Sequence, residues 1–317
     1  MLLRAILLAA MLVATTFASA QTYPIKPIRV VVPAVPGGGT DILARLLSPR
    51  LTELLAQSII VDNRAGAFTN IGTESVARSA PDGYTVLIAT TPHAINPSLF
   101  PKLPFDPVND FTMISQLALT QTVLVVHPSL PAKDVKEFIA LAKARPGQLT
   151  AGTAGGNSAF LAVEMLKTMA KIDVLNIPYK GAGQALNDTV AGHVQFQVNT
   201  LLAALPFIQA GRLRAIAVCG AKRASALPQV PTVAETIKGF ESSGWYALLG
   251  PAGMPREVVL RLNDAFSRAL HTPAITRRLA EMGVDVVAGS PDELARLMPR
   301  EITKWSAVVK ASGAKAE

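Results

Sequence analysis

The sequence holds a single cysteine, Cys219, among 317 residues, so it can form no internal disulfide and no cysteine metal cluster. Cys219 follows the apolar run Leu213 to Val218 and reads as a small buried hydrophobe, not a reactive thiol. Aromatic residues make up only 5% of the chain. They do not interleave with basic residues, which removes the stacking platform that single-stranded nucleic acid requires. Of the four histidines, His93, His127, His193 and His271, none stands in a His-Glu-x-x-His or comparable metal-binding spacing. A Gly-x-Ser-x-Gly elbow, a Gly-Lys-Ser/Thr phosphate loop and a dinucleotide fingerprint are all missing. These absences leave no call for a metal or a cofactor, and catalysis has little to build on.

Long hydrophobic runs are also lacking, apart from Ile6 to Ala14. Preceded by Arg4 and followed by Ala18-Ser19-Ala20, that run has the layout of a signal peptide cleaved after Ala20. It is shorter than the roughly 20 residues of a membrane span. No cysteine follows the cleavage point, so a freely soluble periplasmic product is expected. The formal charge is +8, one less once Arg4 leaves with residues 1–20. The cations are spread singly, as at Lys133, Lys136, Lys143 and Arg145, which argues against a nucleic-acid partner and for a mildly positive surface around an anion-binding cleft.

Hydrophobic residues fill half the chain, and short apolar strands alternate with amphipathic helices, the pattern of an α/β fold with largely parallel sheets. Strands are expected at Ile28 to Val32, Ile59 to Val61, Thr85 to Thr90, Val123 to Val126, Val174 to Ile177, Val194 to Val198 and Leu213 to Val218. Val135, Phe138, Ile139 and Ala142, like Val258, Leu262, Phe266 and Leu270, recur at helical spacing and read as core. Two stretches look like changes of lobe, Gln116 to Pro131 and the proline-rich run Leu227 to Trp245. They divide the mature chain into lobe one (21–122 and 244–317) and lobe two (123–243), joined by two crossovers that would form a hinge.

Two glycine-rich loops join a strand to a helix. In the first, Gly37, Gly38 and Gly39 precede Thr40 and Asp41. Glycine permits positive φ and close backbone approach, while Thr40 or Asp41 can cap the helix, leaving a nest of free N–H groups for an anion. The second, Gly152-Thr153-Ala154-Gly155-Gly156-Asn157-Ser158, repeats the chemistry in the other lobe. Two such loops can close on one carboxylate from opposite sides. Tyr179, in a third strand-to-helix turn beside Lys180, and Asn199, after Val194 to Val198, are further candidate contacts.

Several ordered segments resemble the substrate-binding receptors of tripartite tricarboxylate transporters, the Bug receptors. They are Tyr23-Pro24-Ile25-Lys26-Pro27-Ile28-Arg29, the loop ending at Asp41, Asp62-Asn63-Arg64, Pro81-Asp82-Gly83-Tyr84, Pro178-Tyr179-Lys180-Gly181, Ala210-Gly211-Arg212-Leu213-Arg214 and Leu227-Pro228-Gln229-Val230-Pro231-Thr232. The resemblance implies a two-lobed type II periplasmic-binding fold, a carboxylate or related small ligand, and delivery to a membrane permease; a monomer is expected. It also implies contacts mainly from backbone groups and waters of the loops Gly37 to Asp41 and Thr153 to Ser158. Phe160 stands where the family usually has a histidine, which would make the cleft locally more apolar. Pro49 is expected to break or kink the first helix. The competing readings are a secreted hydrolase with Ser158 as nucleophile, and a receptor whose loaded form docks on a membrane sensor.

Overall fold

A computed structural model describes residues 23–154, 157–179 and 181–314; the expected signal peptide, Met1 to Ala20, lies outside them. The described chain forms two α/β lobes. In the first, strands β1 (Ile28–Val32), β2 (Ile59–Asn63), β3 (Thr85–Thr90), β4 (Phe111–Thr120), β10 (Gly244–Pro251) and β11 (Val284–Val286) make one sheet in the order β11-β4-β10-β3-β1-β2. In the second, β5 (Thr122–Val126), β6 (Thr150–Thr153), β7 (Leu175–Pro178), β8 (Phe196–Thr200) and β9 (Arg214–Val218) run β7-β6-β8-β5-β9. Strands β1, β2 and β3 are parallel, as are β6, β7 and β8. Each sheet takes its one strand that follows a crossover, β10 or β5, in antiparallel pairing beside the third strand of its parallel run. This is a type II periplasmic-binding fold: two lobes, a hinge and a cleft between them.

The strand residues dictate this layering. Val30, Val32, Val86 and Ile88 face one core of the first sheet, while Val31, Leu87 and Ala89 face the other. Both faces are therefore covered, and the strands read as continuous apolar runs instead of alternating. Each such side chain, fully buried, contributes about 1.5–3 kcal/mol. The second lobe repeats the arrangement, with Leu124 and Val126 on one face of β5 and Val123 and Val125 on the other. Helix α1 (Gly39–Leu55) packs Leu43, Leu47, Leu51 and Leu55 into the first core.

Expectation and structure differ in places. Three strands, β4, β10 and β11, were not foreseen; β10 follows the proline-rich run and shares its first residues with it. That run is not featureless, because Thr232 and Glu235 close a capping box around a single 3-10 turn. Pro49 does not break α1, which runs through it. Pro49 is exposed, so the carbonyl left without an N–H partner lies on the watered side of the helix, where solvent replaces the lost bond. Cys219 is fully buried, and that burial pushes its thiol up to about 12, well away from reactivity.

Helices α2 (Asn70–Ala77), α3 (Pro92–Leu99), α4 (Val135–Ala144), α5 (Ser158–Ala170), α6 (Ala182–Ala191), α7 (Leu201–Gln209), α8 (Arg256–Leu270), α9 (Pro273–Glu281) and α10 (Pro291–Ser312) complete the lobes. The chain passes from the first sheet to the second at Gln121 and returns between Val218 and Gly244. At this double crossing Cys219 N–H donates to Thr122 O and Ser242 N–H to Cys219 O. The Thr122 hydroxyl also donates to Ser242 O, at 2.6 Å.

Candidate functional site

In an open parallel sheet, ligands gather where the strands end at their carboxyl edge. Here those edges face each other. Helix α1, after β1, starts beside Leu202 at the start of α7, after β8: a Cβ placed on Gly39 would lie 3.4 Å from Leu202 Cδ2. A Cβ on Gly244 would lie 3.4 Å from Thr91 Oγ1, at the end of β3, and 3.6 Å from Ser158 Oγ, at the start of α5. The four turns that follow β1, β3, β6 and β8 thus meet around β10.

The first glycine loop is held from below by Asp41. The helix begins at Gly39 and Gly38 is its N-cap residue with no side-chain cap, so neither Thr40 nor Asp41 occupies the capping position expected of it. Asp41, the third helical residue, instead reaches back to the loop: its Oδ2 accepts from Gly37 N–H at 2.9 Å. Asn63 Nδ2 donates to Oδ1 at 3.0 Å, and Arg45 Nε donates at 2.9 Å. The Arg45 hydrogen bond is the largest influence holding this buried carboxyl below the usual carboxylate range. Gly37, at φ +80°, supplies the left-handed corner that aims its amide at Asp41.

These bonds decide which amides remain open. The Gly37 amide is taken by Asp41, and Gly38 N–H donates to Val35 O at 3.2 Å. The first-turn amides of Gly39, Thr40 and Asp41 make no hydrogen bond among the described residues. The expected nest over Gly37 to Asp41 is therefore displaced toward the helix, where the amides and the helix dipole point the same way.

In the second loop, Gly155 and Gly156 lie outside the described residues. Thr153 is buried, with Oγ1 donating to Ile177 O at 3.3 Å, and Ala154 follows at the end of β6. Asn157 caps α5 by accepting from Phe160 N–H at 2.9 Å. Ser158 is the first helical residue, and its carbonyl accepts from Ser242 Oγ at 2.8 Å. Phe160 does not project as an isolated apolar wall. It packs against the first-lobe cluster that contains Leu87, Trp245 and Trp305.

Tyr179 and Asn199 are committed to their own lobe. The Tyr179 hydroxyl donates to Asp188 Oδ2 at 2.7 Å, and burial with that bond raises the phenol to about 12. Asn199 is buried under the start of α6, donating to Ala182 O at 3.3 Å and accepting from Thr200 N–H at 2.7 Å. They brace the turn before α6.

Sequence reading missed Thr91, Leu202 and Tyr246, all beside the loops just described. Thr91 Oγ1 accepts from Trp245 N–H at 3.1 Å. No local motif marks these positions; the pairing of β10 with β3 brings Thr91 and Tyr246 in, and the approach of the second lobe brings Leu202. Among the described residues no histidine is hydrogen-bonded to Ser158: His93 contacts Pro107 O, His127 contacts Ser129, His193 contacts Asp188 and His271 contacts Ser267 O. Nor do the described residues include a group of three or more His, Cys, Asp or Glu placed for a metal.

The chain is 37% identical over 301 residues to the protein BugT of Bordetella pertussis, covering 94% of this chain and 92% of that one. Among solved structures, the R. palustris protein Rpa4515, determined with adipate, superposes with a TM-score of 0.85 at 36% identity, over 92% of this chain and 99% of that one. MatC from Rhodopseudomonas palustris, with bound malate, gives a TM-score of 0.80 at 32% identity, over 90% and 100% of the two chains. Residues 43–314 match the family described as tripartite tricarboxylate transporter family receptor. With two sheets, facing strand ends and this likeness along nearly the whole described chain, the protein belongs to the receptors of the tripartite tricarboxylate transporters.

Proposed function

We propose that this receptor works in the periplasm, where it captures a small carboxylated solute between its lobes and delivers it to the membrane permease of a tripartite transporter, without chemical change. The observation that carries this reading is the set of free amides on Gly39, Thr40 and Asp41, beside Leu202 of the opposite lobe. They offer an anion several donors and half a unit of positive dipole charge with no cationic side chain to neutralise. The loop from Thr153 and Ala154 through Gly155, Gly156 and Asn157 to Ser158, the first residue of α5, supplies the second side. Adipate and malate in the related structures support the same ligand class. The pattern of Arg4, the apolar run and Ala18-Ser19-Ala20 supports export with cleavage after Ala20. The chain path supports lobes at 21–122 with 244–317, and at 123–243, moving about the crossovers at Gln121 and at 219–243.

Titration calorimetry with a panel of malate, adipate and their uncharged diamides tests the proposal. Carboxylates that bind while the diamides do not, with a smaller radius of gyration on saturation, are the expected result. Equal binding of acid and diamide would remove the anion site.

A further inference from the structure

Tyr246, on β10, carries a hydroxyl to the place where the α1 amides are open. Its ring is packed in the first lobe's core and is 6% exposed, so two torsions are fixed and the hydroxyl is held in one position. A Cβ on Gly39 would lie 2.7 Å from Tyr246 Oη but 3.9 Å from Cζ. Only the hydroxyl, and not the ring, needs residue 39 to be a glycine. Against the larger, raising effect of burial, the Thr120 hydroxyl donates toward the phenol oxygen and lowers its pKa, although it makes no hydrogen bond of ordinary geometry. A donor to the phenol oxygen leaves the Tyr246 proton itself uncommitted.

We infer that the Tyr246 hydroxyl donates to the carboxylate seated on the amides of Gly39, Thr40 and Asp41, and that it selects solutes whose terminal group is a bare carboxylate. The inference rests on the receptor reading above. Burial pushes the phenol up to about 12, so the group stays a neutral donor at any physiological pH and never repels the anion. A neutral O–H beside three amides completes the donors around one oxygen pair. It also caps the space above Gly39, with Leu202 closing the other side, so a carboxylate enters where a bulkier ester does not. The fixed hydroxyl needs no reorganisation on binding, which keeps the hydrogen bond's contribution undiminished.

The test is calorimetry of Tyr246→Phe, Gly39→Ala and the double variant against malate and adipate. Losing one hydrogen bond to a charged group corresponds to a fall in affinity of at least about tenfold. Tyr246→Phe should show that fall for whichever acid the unmodified protein binds, while the melting temperature without ligand stays close to the unmodified value. Gly39→Ala should fall further, because its methyl group displaces the hydroxyl. In the Tyr246→Phe background the same methyl meets only the ring edge, so the second loss should be smaller than the first. Tyr246→Phe binding both acids as tightly as the unmodified protein overturns the inference and leaves the receptor reading standing. Additive losses in the double variant also overturn it. If the unmodified protein binds neither these acids nor any other small carboxylate in a wider panel, the receptor reading and this inference fall together.

Discussion

Replacing Asp41 should reveal how the carboxylate site is built. Its side chain is 4% exposed and takes hydrogen bonds from Gly37 N–H, Asn63 Nδ2 and Arg45 Nε. Arg45, the largest influence on the carboxyl's pKa, is 56% exposed, so its ion pair adds little to stability after screening; the bonds from the half-buried Asn63 and from Gly37, itself on the exposed loop, carry the rest. Asn63 keeps a second acceptor in Ala34 O at 3.1 Å, whereas the exposed Gly37 amide keeps only solvent. Asp41→Ala should therefore cost about 1–2 kcal/mol, or on the order of 2–5 °C in melting temperature for a chain of this size. Affinity should fall with it, because a freed Gly37 no longer fixes the corner ahead of the open amides. Asp41→Asn should recover only part. Its single oxygen can serve Gly37, but its NH2 group then faces the donors of Asn63 and Arg45. The pH dependence has a definite sign. Asp41's pKa is lowered on folding, so its contribution is present above the unfolded value of about 3.9 and is lost as pH falls through the lower folded value. The gap between unmodified and Asp41→Ala proteins should therefore close below about pH 4. Thermal melts and calorimetry of the three proteins decide the matter. An Asp41→Ala protein that melts and binds like the unmodified one would refute the support role, and full rescue by asparagine would refute the donor count.

Two further outcomes follow from buried groups. His93 is fully buried, and burial lowers its imidazole to about 4, against about 6.5 when unfolded. The unfolded chain then binds more protons, so stability is full above pH 6.5 and falls by about 3 kcal/mol on the way to pH 4; melts from pH 7 to 4.5 should show a flatter slope for His93→Gln, and equal slopes would refute this. Glu301 Oε2 accepts from both Trp245 Nε1 at 2.9 Å and Trp305 Nε1 at 3.0 Å. Glu301→Ala leaves two indole donors unpaired and should cost about 2–4 kcal/mol, with Glu301→Gln well above it in urea midpoint; coincident midpoints would show that the indoles find other acceptors.

Much of the scaffold was legible because each unit is local. Valines in a row placed β1, the glycines and the helical stripe after them marked the turn into α1 but not its passage through Pro49, and Gly152 to Ser158 likewise marked the turn into α5. Whatever depends on distant pairing was not legible. Asp41 looked like a cap from its neighbours alone, since Asn63, 22 residues on, shares it only after β2 aligns with β1. Tyr179 and Asn199 looked open because Asp188 and Ala182, their partners, come from the next helix. Tyr246 carried no signal at all: its strand reads as one more apolar run, and its nearness to Gly39 is a product of β10 lying between β3 and β4.

That placement of β10 also governs the order in which the molecule can assemble. The second sheet is continuous in sequence from β5 to β9 and can close as soon as it is made. In the first, β4 pairs only with β10 and β11, and β3 has β1 on one side and β10 on the other. Until residue 251 or so is available, the first 120 residues hold a three-stranded fragment with a bare hydrophobic edge. Long-range closure of this kind is slow. The chain therefore spends its early life without the lobe that carries Gly39 and Asp41, and that half of the trap is finished only when one late strand slides into the middle of a waiting sheet.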